Sequence, residues 1–215
     1  MAVSKKSKGS INTKKLMHRI KKSNVIFDND DHHDSHEFLS WLLNEIHESL
    51  IADAKEIPNS MLNNRPVTDT KSSFITELFE GKLESKTTCL WCENGGRREE
   101  TFMALSVDIE RNTSLSHCIR LFSRKELMAK RDKFYCDNCN TKQVAARQMM
   151  IKKKPKVLII HLKRFKIDPQ TYRYQKLSYR VPFPSELKIE TCLEDLEDEN
   201  GGSLYHLRGV VIHIG

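Results

Sequence analysis

Long hydrophobic runs are missing from this sequence. No stretch approaches the ~18 consecutive apolar residues that a membrane-spanning helix needs, so no membrane role is expected. The N-terminal segment Met1-Ala2-Val3-Ser4-Lys5-Lys6-Ser7-Lys8 has no apolar core either, which excludes a secretory signal. Aromatic residues make up only 7% of the chain, and no stacking platform accompanies its basic clusters. The net charge of +7 therefore reads as a solvated face, and nucleic-acid binding is not expected as the main role. A disulfide framework is absent as well. Of six cysteines, four stand in metal-ligand spacing, which suits a reducing compartment, cytoplasm or nucleus.

What is present suffices for one globular domain, or a domain with one protruding subdomain: 215 residues, 38% hydrophobic. Two cysteine pairs organise it, Cys89-Leu90-Trp91-Cys92 and Cys136-Asp137-Asn138-Cys139. The C-x-x-C spacing lets two thiolates grip one metal from a tight turn, and zinc in a structural role takes four such ligands in a closed tetrahedron. The separation between the pairs is too long for a compact zinc ribbon and suits two hairpin knuckles at the tip of a larger element. Coincidence or a redox C-x-x-C are the alternatives; the repetition of the pair in polar, turn-like sequence favours a structural Zn2+ on Cys89, Cys92, Cys136 and Cys139.

Residues 1–12 read as a disordered basic N-terminus, and 13–22 as a short basic helix. Asp34 is a good N-cap, with Glu37 placed to complete a capping box, and Phe38, Leu39, Leu42, Leu43, Ile46, Leu50 and Ile51 follow at helical spacing. Residues 52–72 read as a linker or surface loop. Gly81–Thr88 reads as a strand into the first knuckle, and Met103, Leu105, Val107 and Ile109 alternate as in a half-buried strand. Ser114 caps a helix carrying Leu115, Cys118, Ile119 and Phe122. Strands are expected over Gln143–Ile151, over the buried run from Val157 into His161-Leu162-Lys163-Arg164-Phe165, over Tyr174–Val181 and over Tyr205–His213, with a solvent loop at 191–202.

Taken together, these stretches resemble the ubiquitin-specific proteases, a family of papain-like cysteine peptidases. Asp34-Ser35-His36-Glu37-Phe38-Leu39 is similar to the family's Q-Q-D-A/S-H/Q-E-F-L helix start, and the cysteine pairs to the zinc knuckles of its fingers. Val157 through Phe165 resembles its L-x-L-H-L-K-R-F strand, Leu177 to Pro184 the segment that follows, and Tyr205 to Gly215 its Y-x-L-x-A-V-V-V-H-x-G strand. Five motifs in the right order are specific. The resemblance implies an α+β, papain-like hand of helical thumb, zinc-tipped β fingers and β palm. Residues 13–72 would give part of the thumb with its linker, 73–152 the fingers with an inserted helix near 114–122, and 153–215 part of the palm. It implies ubiquitin as partner, held in part by His161, Lys163, Arg164, Phe165 and Tyr179. It also points to the small members that a WD40-repeat protein switches on.

The family's reaction is thiol hydrolysis of the isopeptide bond that follows ubiquitin's last glycine. Its nucleophile sits in a G-N-T-C-Y box and its histidine in a G-H-Y box, and neither box occurs here. No catalytic residue is therefore assigned. The domain is expected to be truncated at both ends and inactive alone, which leaves a non-catalytic ubiquitin- or WD40-partner-binding zinc module as the alternative. Cys118 reads as a buried structural thiol. Cys192 lies among carboxylates that raise a thiol's pKa, the wrong direction for a nucleophile. His32, His33 and His36 read as a polar helix start, with an adventitious metal site as the other option. His33 stands where the family usually has Gln.

Overall fold

A computed structural model describes residues 12–29, 33–56, 72–168, 170–189 and 204–212. The chain divides into two compact units, 1–39 and 40–215. The disordered stretch 1–12 and the loop 191–202 expected from sequence fall almost wholly outside the described residues, as does the centre of the 52–72 linker.

The first unit holds helix α1, Lys14–Ser23, and a 3-10 turn, Val25–Phe27. Ile20 and Phe27 are its buried side chains, and Phe27 takes the rings of His33 and Phe38 edge-on at 5.3 Å each. Asn24 caps the turn by accepting from the Ile26 amide. Helix α2, Ser35–Glu56, starts where Asp34 accepts a hydrogen bond from the His36 amide at 2.7 Å, as the sequence predicts. Its apolar stripe is covered less than its periodicity suggests: Leu43 is buried, while Leu42, Ile46, Leu50 and Ile51 are half-buried.

In the second unit, helix α3 (Phe74–Phe79) begins with a capping box between Ser73 and Thr76, and His47 of α2 bonds the same Ser73 hydroxyl at 2.7 Å. The largest sheet has strand order β2-β1-β7-β4, built from Gly81–Cys89 (β1), Gly95–Phe102 (β2), Glu126–Met128 (β4) and Ala145–Lys153 (β7). Its pairings are antiparallel, with Leu83 opposite Ile151 at one end and Cys89 opposite Ala145 at the other. Strand β2 is an edge, and its exposed Arg97, Arg98, Glu99 and Glu100 discourage further pairing.

The core lies beside this sheet. Strand β3 (Ala104–Asp108) pairs in parallel with β8 (Ile159–Lys163), a geometry that demands a long crossover. Leu105, Val107 and Ile109 are buried on alternate positions, as the period-2 pattern predicts. They pack with Cys118 and Ile119 of helix α4 (Leu115–Phe122), with Ile151, and with Val181, Leu187 and Ile189. Ser114 caps α4 through the His117 amide, also as predicted. Short antiparallel pairs follow among the described residues: Phe134–Cys136 (β5) with Thr141–Gln143 (β6), Phe165–Ile167 (β9) with Tyr174–Lys176 (β10), and Glu186–Lys188 (β11) with Leu204–His206 (β12).

Three strands differ from their sequence-based extents. The apolar run at Val157 starts in a bend, and β8 begins only at Ile159, with Ile159 to Leu162 half-buried and Lys163 exposed. Strand β10 ends at Lys176, and residues 177–181 lie off the ladder. The carbonyls of Leu177 and Tyr179 bond the Arg164 guanidinium instead of a neighbouring strand. Among the described residues the last strand stops at His206, and Val210, Val211 and Ile212 are exposed; His213 lies outside them.

Candidate metal centre and grip

Both knuckles use the same local grammar. Strand β1 ends on Cys89, Cys92 sits in the turn, and Glu93 follows at φ 60°; strand β5 ends on Cys136, Cys139 sits in the turn, and Asn140 follows at φ 53°. Each left-handed residue turns the chain back sharply enough to aim two thiols at one point. The first turn is closed by the Glu93 amide donating to the Cys89 carbonyl and the Cys89 amide donating to the Asn94 carbonyl. A Cβ at Gly95 would lie 2.0 Å from the Thr87 carbonyl oxygen, so only glycine lets β2 return this close to β1. In the second knuckle the Tyr135 hydroxyl donates to the Asn140 side chain at 2.8 Å. The Leu90 amide donates to the Val144 carbonyl and holds the two knuckles together.

The result is a closed set of four sulfurs. The Sγ atoms of Cys89, Cys92, Cys136 and Cys139 lie within 4.8 Å of one another, and Cys92 and Cys136 approach to 3.5 Å. A zinc–thiolate tetrahedron with ~2.3 Å bonds has sulfur–sulfur edges of about 3.8 Å, so the set fits Zn2+ with no position left open. The electrostatics point the same way. Cys92 is lowered to about 6 by hydrogen bonds from the Asn138 side chain and the Asn94 amide. Cys139 is pushed up to about 12 by sharing its proton with Cys92, with burial and its other cysteine neighbours adding to the effect. Without a cation, then, one thiol ionises readily and its neighbour resists; a divalent metal removes that conflict. Zinc bound here supplies a structural clamp.

This is the only set of three or more histidine, cysteine or acidic side chains among the described residues placed to hold a metal. His33 instead bonds Asn29 at 2.6 Å, and His32 lies outside the described residues. Cys118 is buried in the core, 3.6 Å from the Thr113 hydroxyl. Cys192 also lies outside the described residues.

The five residues singled out for grip lie on β8, on β9 and its junction with β8, and on the segment after β10, and their contacts differ. His161 is half-buried and bonds the Ser106 hydroxyl at 3.2 Å. Lys163 reaches the Asp108 carboxylate at 3.5 Å. Arg164 donates to the carbonyls of Leu177 and Tyr179, and the Tyr179 ring lies under the Arg111 guanidinium at 5.4 Å. Phe165 is exposed. Sequence reasoning missed the partners Ser106, Asp108 and Arg111. Asp108 did carry a signal, as the polar position between buried Val107 and Ile109 at the end of an alternating strand. Burial alone would raise its carboxyl, but the Lys166 and Lys163 ammonium groups outweigh burial and hold it below the usual carboxylate range.

Comparison with known proteins agrees with this geometry. The family model described as ubiquitin carboxyl-terminal hydrolase matches residues 1–215. The Salmo salar protein called ubiquitin carboxyl-terminal hydrolase 12 is 41% identical over 224 residues, covering 100% of this chain and 60% of that protein. Among solved structures, a chain of the SAGA Ubp8/Sgf11/Sus1/Sgf73 DUB module bound to ubiquitin aldehyde superposes with a TM-score of 0.74 at 32% identity, covering 96% of this chain and 46% of that one. A chain of the same module bound to monoubiquitin gives 0.69 at 30% identity, covering 83% and 38%. The chain thus spans only part of the length of these relatives. Its α+β fold resembles the papain-like hand, with a cysteine cluster able to hold a structural zinc at the tip of a finger. The chain belongs to the ubiquitin carboxyl-terminal hydrolase family.

Proposed function

We propose that this chain is the ubiquitin-gripping part of a deubiquitinase of the ubiquitin-specific protease type. The observation that carries the reading is the four-sulfur cluster where β1 and β5 end, within a fold that superposes on DUB-module chains solved with ubiquitin or ubiquitin aldehyde. On this reading residues 13–72 contribute to the thumb, 73–152 to the fingers and 153–215 to the palm. His161, Lys163, Arg164, Phe165 and Tyr179 belong, on this reading, to the region that grips ubiquitin. Leu90, Trp91, Leu127 and Tyr135 are exposed on or next to the knuckle hairpins. They suit an aromatic-anchored protein contact and so support docking of a WD40-repeat partner there. A cytoplasmic or nuclear setting follows from the reduced thiols the cluster requires.

The chemistry of the family is thiol hydrolysis of ubiquitin isopeptide bonds. The 215 residues contain neither the G-N-T-C-Y nor the G-H-Y box, and Cys118, the one described cysteine outside the cluster, is buried. Loss of a nucleophile costs on the order of 10⁶-fold in comparable hydrolases. A polypeptide of these residues alone is therefore expected to bind ubiquitin without cutting it, which is also the behaviour of a non-catalytic binding module. Titration of fluorescent ubiquitin with the zinc-loaded chain, alongside a ubiquitin–fluorophore cleavage assay, tests this. Saturable binding without turnover is expected. No saturation by ~100 μM, a free energy weaker than about −5.5 kcal/mol, defeats the grip. Turnover abolished by thiol alkylation defeats the inactivity.

A further inference from the structure

Hairpin β9–β10 starts one residue after β8 and forms a two-stranded sheet of its own, and its strands alone are too short to fix its direction. Its tip is organised by Asp168, whose carboxylate accepts from the Gln170 amide and the Thr171 hydroxyl at 2.9 Å each. That arrangement shapes the turn but not the angle at which the hairpin leaves the body. Contacts made at the base by three residues, Arg164, Asp108 and Arg111, do the latter. The Arg164 guanidinium donates to the Leu177 carbonyl at 3.1 Å and the Tyr179 carbonyl at 2.8 Å, while the Leu177 amide donates back to the Arg164 carbonyl at 2.6 Å. Asp108, at the end of β3, bridges Lys163 of β8 at 3.5 Å and Lys166 of β9 at 3.2 Å. Arg111, beyond β3, covers the Tyr179 ring.

We propose that Arg164, Asp108 and Arg111 are positioning residues that together mount the β9–β10 hairpin at a fixed angle, so that exposed Phe165 and Ile167 on one face of β9 are presented to the bound protein. The inference rests on the ubiquitin-gripping reading for the identity of that protein. It reassigns Arg164 and Tyr179 from touching ubiquitin to holding the surface that does. The geometry argues for this directly. Nη1 of the half-buried guanidinium donates to two backbone carbonyls beyond the end of the β9–β10 ladder, which ties the 177–179 backbone to the start of β9 and commits the side chain to a structural contact. Lysine substitutes only in part: both carbonyls are served by Nη1, which the planar guanidinium holds in place, whereas a flexible stem fixes an ammonium there less well.

The test uses the zinc-loaded 215-residue chain and its Arg164→Ala, Arg164→Lys and Asp108→Asn variants. Amide hydrogen exchange is read across β9, β10 and 177–181, and ubiquitin affinity is read by fluorescence titration. In Arg164→Ala, exchange across the hairpin is expected to rise about tenfold or more, the scale of losing charge-assisted bonds. Exchange in β1 and β7 and the zinc content should stay unchanged, and ubiquitin should bind about tenfold more weakly. Arg164→Lys should fall between Arg164→Ala and the native chain in both readouts, and Asp108→Asn should give a smaller change of the same pattern. Weaker ubiquitin binding with unchanged hairpin exchange would make Arg164 a direct contact and overturn the proposal. So would a loosened hairpin with unchanged affinity. If Arg164→Ala disturbs β1, β7 or zinc content, the two milder variants decide: no loosening in either overturns the mount. A native chain that binds no ubiquitin overturns the gripping reading alone, because the exchange pattern still tests the mount.

Discussion

The knuckle hairpins and the β9–β10 hairpin solve the same problem by opposite means. Each is a short ribbon held at one end, and neither has a core of its own. At the knuckles four soft thiols meet within 4.8 Å, a set that fits one cation. At the β9–β10 base, hard charges already match one another: Arg164 on two carbonyls, Asp108 between two lysines. The first arrangement gives rigidity conditional on metal and redox state. The second gives rigidity that needs nothing added but yields to acid. A molecule built this way can lose its tip while keeping the surface beside its core, and the two ends should fail independently.

The largest effect expected is at the tip. Cys136→Ser replaces a buried thiolate ligand with a hydroxyl that zinc seldom accepts in a structural site. Zinc content is expected to fall from one per chain to none at stoichiometric metal. The tip then forfeits a contribution that in thiolate sites is on the order of 10 kcal/mol of apparent binding free energy. Metal analysis paired with hydrogen exchange checks it: β5, β6 and the end of β1 should lose protection while the β9–β10 base keeps it. Protection lost at both ends would break the comparison. Leu105→Ala comes next and works from the other side. Leu105 is fully buried on β3, and truncation costs about 2–5 kcal/mol. Denaturant unfolding should show that loss with zinc content unchanged.

How legible these ends were in the sequence follows from the range of the forces that build them. The knuckles were readable because the thiolate grip is local. Two cysteines three positions apart in turn-forming residues need only each other to announce a half-site, and the repeat announces the other half. Asp34 and Ser114 were readable as caps for the same reason. Strand β3 was readable because burial on one face imposes period 2. The β9–β10 base was not. Arg164 reads in sequence only as a contact residue, since nothing near it shows that its guanidinium also reaches backbone carbonyls 13 and 15 residues on. The failed extension of the strand at 174–181 has the same cause: a side chain from elsewhere took the place of a ladder. Long-range polar contacts to backbone leave no pattern in side-chain identity.

Acid should separate the two ends by pH. Metal-bound thiolates must be reprotonated for zinc to leave, so the tip is lost as pH falls well before carboxylates titrate. Asp108 follows. Its carboxyl in the folded chain lies below the ordinary value, so its contribution is fully present above that ordinary value, about 3.9, and disappears as pH falls through the lowered one. Zinc release monitored with a chromogenic chelator, set beside a hydrogen-exchange series in acid, should give two steps in that order. A single shared step would mean that the ends are coupled after all.

The smallest effect sharpens the contrast by asking whether ion pairs support the tip sheet as they support the hairpin base. Lys152 on β7 reaches across β1 to Glu99 on β2, and each shifts the other's titration toward the charged form. Both side chains are well exposed, however, so water and salt screen the pair, and ordering two long side chains offsets much of what remains. The sheet beneath is already joined by the β1 ladder on both sides. Lys152→Ala is therefore expected to leave the thermal midpoint and zinc content unchanged, whereas Asp108→Asn should measurably loosen β9. A midpoint shift of several degrees for Lys152→Ala, reduced by added salt, would show that surface charge holds the tip as well, and the division between a metal-clamped end and a charge-clamped end would no longer stand.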